Sequence, residues 1–139
     1  MGQFMQIGEV AERTRLSLRT IRFYEEEGLV LPSARSAGGF RLYSGTDVDR
    51  LRLLRQAKPL GFSLDELRDL LGVLDGLDRP EASPAEREAL LDRLAMFRAA
   101  AEARVQALRD ELDQAGSFAA LLVRPTTYQE STSPGATER

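Results

Sequence analysis

Between Arg13 and Arg22 the chain carries four arginines, Arg13, Arg15, Arg19 and Arg22, and no acidic residue. Guanidinium groups at that density hold and orient a partner. Their planar forks match phosphate oxygens, and each nucleic-acid phosphate they neutralise releases condensed counterions. Downstream, Arg35 and Arg41 are the only charges between Gly28 and Thr46, and they lie among Phe40 and Tyr43. Arg41 and Tyr43 are two residues apart, so a strand would place a guanidinium and a phenol on one face and turn Leu42 toward the core. In the competing reading Tyr43 and Phe40 simply seal the small core, and that is the reading taken for Phe40. Covalent chemistry has little to work with: the chain has no cysteine and no histidine. That removes disulfides, thiolate redox sensing, imidazole ligands and His-based catalysis. With no nucleophile, base and metal constellation visible, the expectation is a non-enzyme without a cofactor or metal site. Asp110, Glu111 and Asp113 read as a solvated helix face.

The elements that must hold these arginines can be read from periodicity and caps. In "IGEVAERT", Ile7, Val10 and Ala11 fall on one face of a short helix. After a turn at Arg15, Ser17 can cap a second helix, "LRTIRFYEEE", which Gly28 closes. Arg19 and Thr20, near its start, suit base edges, whereas Arg22 and Tyr24 suit phosphate oxygens. The competing reading is a solvated face with Ile21 and Phe23 turned inward. Residues 29–44 read as a hairpin in which Gly38-Gly39 can supply positive φ. Ser44 or Thr46 starts a third helix with Val48, Leu51, Leu53 and Leu54 inward, and Pro59 ends or kinks it. Ser63 and Glu66 form a capping box for a fourth helix bearing Leu64, Leu67, Leu70 and Leu71.

From Pro84 to about Ala115 no breaker interrupts the chain. Leu90, Leu94, Phe97, Ala101, Val105, Leu108, Leu112 and Ala115 form a heptad seam with one stutter. Roughly 30 helical residues extend about 45 Å, too far for one small domain to cover. A homodimer through paired helices is therefore expected, against the alternative of a lone helix folded back on its own domain. The division expected is a DNA-binding domain at 1–75, a linker at 76–83, a dimerisation helix at 84–115, a short apolar segment at 116–123 and a disordered tail at 124–139. Residues 1–63 carry ten basic and seven acidic groups, and residues 64–139 nine and fifteen, so the two parts suit different partners. Of nineteen basic residues only Lys58 is not arginine, which fits phosphate recognition or a coding bias equally. No signal pattern or membrane-length apolar run is evident, so a soluble cytoplasmic protein is expected, with no membrane partner.

Taken together, "TIRFYEEEGL", "GGFRLYS" and "LGFSLDEL", in that order and spacing, resemble the DNA-binding domain of MerR-type transcriptional regulators over about Ile7 to Leu71. The resemblance implies a mainly α winged helix-turn-helix, followed by a long helix that pairs in an antiparallel coiled coil. It also implies a dimer on a pseudo-palindromic promoter that bends and untwists the DNA for RNA polymerase. Position by position, Arg19, Thr20, Arg22 and Tyr24 match recognition-helix contacts, Arg35, Arg41 and Tyr43 match wing contacts, and Gly39 matches the wing-turn glycine. Arg15 and Ser17 complete the expected DNA-binding set. The chain departs from the pattern at three positions. Arg15 stands where many relatives have glycine, Phe40 where many have tyrosine, and Pro59 where a helix former is usual. The effector is unknown. With no cysteines for metal sensing, a small apolar ligand near Phe97, Phe118 and Leu121 stays open, as does no effector at all. Two further readings compete: an effector-independent architectural or excisionase-like DNA binder, and a coiled-coil adaptor that binds protein.

Overall fold

The computed structural model describes residues 3–123. These residues form five α-helices and a small sheet: β1 (Met5–Gln6), α1 (Ile7–Thr14), α2 (Leu18–Glu26), β2 (Ala34–Arg35), β3 (Arg41–Tyr43), α3 (Gly45–Ala57), α4 (Leu64–Leu77) and α5 (Pro84–Leu121). A 3-10 turn at Lys58–Leu60 separates α3 from α4. Pro59 sits in it, and Gly61 closes it at φ 88°. The proline therefore ends α3 without kinking it, because the missing amide falls where no helical hydrogen bond is required.

Three serine caps set the starts of α2, α3 and α4. Ser17 Oγ accepts from the Thr20 amide at 3.0 Å. Ser44 with Asp47, and Ser63 with Glu66, form reciprocal capping boxes. Ser44, not Thr46, is the cap of α3. A further reciprocal pair, Ser83 with Glu86 at 2.9 and 3.1 Å, sits at the start of α5. Its S-x-x-E signature is legible in "SPAE" beside the proline signal.

The sheet is antiparallel with order β1-β3-β2, and Met5 pairs with Tyr43 while Ala34 pairs with Leu42. Strand β1 was not signalled by the sequence, since two residues are too few to show alternation. Val10, Ile21, Tyr24, Tyr43, Val48, Leu51, Leu54, Leu67 and Leu71 form the buried cluster beneath it. Each such side chain contributes roughly 1.5–3 kcal/mol by leaving water. Arg50 joins α3 to the end of α4 through Asp75 at 2.8 Å and Asp78 at 3.0 Å.

Residues up to Arg98 form one unit and those from Ala99 another. In the first, Gly76 on α4 lies so close to Leu90 on α5 that an added Cβ would come within 2.9 Å of it. The Phe62 and Phe97 rings meet at 6.3 Å. In the second, helix α5 continues through Gly116 to Leu121 instead of giving way to a separate segment after Ala115. One glycine costs a long helix only about 1 kcal/mol, so it need not end it. The expected tail at 124–139 lies outside the described residues.

Candidate nucleic-acid interface

The turn between α1 and α2 is locked from inside. Thr14 is buried, and its hydroxyl donates to the Val10 carbonyl at 2.8 Å while accepting from the Leu16 amide at 3.3 Å. Arg15 follows as the C-cap of α1 with φ 62° and ψ 27°. Among the described residues it alone, other than glycines, has positive φ. At this positive φ an arginine costs roughly 1 kcal/mol relative to glycine.

Helix α2 buries Ile21 and Tyr24 and exposes Arg19 and Arg22, which are three residues apart and so neighbours on one face. Neither arginine has an ion pair among the described residues, so both forks are open to an external acceptor. Ser17 Oγ donates to Thr20 Oγ1 at 2.9 Å. Because that bond uses only one of the two hydroxyl protons, the other remains available for an outside partner. Phe23, one of the two side chains that the competing reading turned inward, is 38% exposed, whereas Ile21 is core.

Tyr24 is buried at 2% exposure, so its placement toward phosphate is corrected: the ring is a core element at the back of the helix. Tyr43 is likewise 0% exposed, and its hydroxyl has no hydrogen-bond partner among the described residues. Strand alternation put Tyr43 and Arg41 on one face. The strand is only three residues long, however, and Arg41 is drawn across to α2 while the larger apolar ring takes the core. Burial raises the pKa of both phenols, with Glu25 adding to the effect at Tyr43. Phe40, read as a core residue, is 64% exposed at the hairpin tip, and half-buried Leu42 takes no place in the core cluster.

The hairpin turn closes through the Gly39 amide donating to the Ser36 carbonyl and the Ser36 amide to the Phe40 carbonyl, each at 2.9 Å. Gly39 takes φ 86°, and Gly38 does not take positive φ. Arg35 folds onto this turn, donating to the Gly39 carbonyl at 3.1 Å. Both hairpin arginines converge on Glu25: Arg41 through a short Nε to Oε1 contact, and Arg35 at 3.6 Å. That hydrogen bond, then the carboxylate charge, raises the Arg41 pKa. Glu25 is the residue the sequence reading missed. An acid in the last turn of a helix opposes the dipole, and "YEEE" carries three; that was the available signal.

These parts amount to a positively charged face suited to a polyanion: two arginines without an ion pair among the described residues and a free hydroxyl proton on a capped helix, beside a hairpin whose two arginines are held by one carboxylate. Along α5, Leu90, Leu94, Phe97 and Ala101 are half-buried, while Val105, Leu108 and Leu112 are exposed. Among the described residues no group of three or more acidic side chains converges as a cation site.

Known proteins are similar to this chain in sequence and in fold. Residues 5–73 match the profile of the MerR HTH family regulatory proteins, and residues 48–115 match that of the MerR DNA-binding region. The HTH-type transcriptional regulator HmrR of Rhizobium leguminosarum bv. viciae is 46% identical over 78 residues, which is 56% of this chain and 60% of HmrR. CueR of Salmonella typhi is 39% identical over 109 residues, 78% of this chain and 76% of CueR. Among solved structures, a MerR family chain from Listeria monocytogenes superposes with a TM-score of 0.69 at 23% identity, covering 96% of this chain and 99% of that one. HiNmlR, a MerR family regulator solved bound to promoter DNA, gives 0.64 at 23% identity over 96% of each chain. The two superpositions establish the fold.

Proposed function

Because the chain belongs to the MerR family of helix-turn-helix regulatory proteins, we propose that it binds promoter DNA sequence-specifically as a homodimer and distorts that DNA to control transcription initiation. The observation that carries this reading is the pair Arg19 and Arg22, exposed side by side on a capped helix with no ion pair among the described residues. Helix α2 enters the major groove. Arg19 and Thr20 meet base edges near its start, and Arg22 meets phosphate. The hairpin is the wing: Arg35 and Arg41 reach the flanking backbone, and Gly39 makes its turn. Arg15 and Ser17 sit at the mouth of the helix.

Tyr24 and Tyr43 support the face from behind and do not touch DNA. Pairing of the exposed α5 seam with a second copy, antiparallel, sets the spacing of two half-sites. Bending a site of this size costs of order 1–10 kcal/mol, which phosphate contacts from two wings offset. RNA polymerase is the partner that reads the distortion. The protein does this without catalysis, and its action is in the cytoplasm, where the promoter is. The domain division that follows is DNA-binding up to α4 and dimerisation along α5.

A gel shift on the DNA upstream of the protein's own gene, read against salt, tests this. Arg22→Ala and Arg41→Ala should weaken binding to all sequences, whereas Arg19→Ala should lose the preference for the specific duplex over a random one. Equal loss on both duplexes for Arg19→Ala would remove the base-reading role. Binding that ignores sequence would favour an architectural protein, and no binding at all would favour a protein adaptor. Mapping the bound promoter and measuring the spacer between its polymerase elements separates an untwisting activator from a repressor.

A further inference from the structure

A crevice of about 190 Å³ opens where the end of α1 meets α3, lined by Arg13, Thr14, Arg15, Arg52, Arg55 and Gln56. Four of these six lining residues are arginines, which together give the crevice a positive field, and the acids nearby pair with only two of them. Arg13 pairs with Glu9 at 2.9 Å, and Arg52 lies 3.8 Å from Asp49 while donating to the Arg13 carbonyl at 3.4 Å. Arg15 and Arg55, both exposed, have no ion pair among the described residues. Arg15 also keeps a positive φ that glycine would adopt with less strain. Backbone strain that persists where a cheaper residue exists is a mark of function.

We propose that Arg15 and Arg55 clamp one backbone phosphate of the bound duplex in this crevice, with Arg52 and Arg13 lending their field, so that α3 becomes a DNA-contacting element. This rests on the DNA-binding reading above. The crevice adjoins the two residues that lead into Leu18, so a phosphate held there lies beside the start of the recognition helix. Backbone contacts at that point fix how deeply such a helix sits in its groove. A fork from each side of the α1–α3 junction supplies paired donors to the phosphate oxygens. Its contribution is independent of sequence.

The test is a salt titration of binding to a random duplex and to the upstream duplex, for Arg55→Gln, Arg15→Gly, their double variant, Arg22→Ala, and Arg109→Gln on α5 as a charge control. Arg55→Gln should lower affinity of order tenfold on both duplexes. It should also make the plot of log K against log salt shallower by about 0.9. Arg15→Gly should do the same while raising Tm by a few degrees, a combination that a purely structural arginine would not give. The double variant should lose less than the product of the two singles, since both hold one phosphate. An unchanged slope for Arg55→Gln while Arg22→Ala still weakens binding would overturn the clamp and leave the DNA-binding reading standing. An unchanged slope for Arg22→Ala as well would remove that reading itself. Inorganic phosphate bound in the crevice with the DNA slope intact would make it a free-anion site and overturn the clamp.

Discussion

At the scale of single residues, Tyr43 carries a cost that it could shed. Its hydroxyl is buried and unpartnered among the described residues, and an unsatisfied polar group of that kind costs about 1–3 kcal/mol. Tyr43→Phe should therefore leave thermal stability unchanged or raise it, and should leave DNA affinity intact, as read by melting and gel shift. A large loss of affinity would return the phenol to the DNA contacts. The two raised phenol pKa values also set an alkaline limit. The unfolded chain ionises its tyrosines near pH 10 while the folded one resists, so this stability is complete below about pH 10 and is lost as pH rises above it. Melting curves between pH 9 and 11.5 should fall less steeply for Tyr43→Phe than for the parent. At the exposed wing tip the direction reverses: Phe40→Tyr adds a hydroxyl where water or phosphate can meet it, and should tighten DNA binding about two- to tenfold.

Among the elements, the wing and the recognition helix are coupled through Glu25. Both wing arginines answer to that one carboxylate, so the hairpin's position depends on the last turn of α2. Glu25→Gln should free the wing and remove a negative charge near the phosphates. Affinity for random DNA should then rise while the ratio of specific to random binding falls, and a competition gel shift with the two duplexes reads both. Helix starts were legible because a serine cap is a local event: Ser17, Ser44 and Ser63 each bond an amide three residues on. The inward faces of α3 and α4 were legible for the same reason, since periodicity needs only the helix itself. The wing was not. Which of Phe40, Leu42 and Tyr43 enters the core depends on Glu25, sixteen residues before Arg41, and on β1 pairing from the N-terminal side. A three-residue strand is too short for alternation to outweigh those distant partners. The geometry of the candidate site was accordingly half legible: Arg19 and Arg22 are exposed on α2 and Arg15 lies in the turn before it, whereas Tyr24 went inward, Tyr43 took the core place that only the competing reading gave it, and Glu25 went unnoticed.

For the molecule as a whole, the seam on α5 is the feature that a single chain leaves unfinished. Val105, Leu108 and Leu112 face solvent at 38%, 41% and 71% exposure. Leu108→Glu with Leu112→Glu should cost the single chain little, because neither side chain is buried within it. In sedimentation experiments it should halve the mass of the particle, and in a gel shift it should lose most of the specific affinity. A particle of unchanged mass would show that the seam closes in some other way. If the seam does close on a second copy, the abundance of the protein becomes an input in its own right. Below the pairing constant, the occupied fraction of a promoter rises with the square of the number of chains, so one halving of expression leaves about a quarter of the occupancy. A short row of uncovered leucines and valine would in that way make the response of a gene to its regulator steeper than any single contact with DNA can.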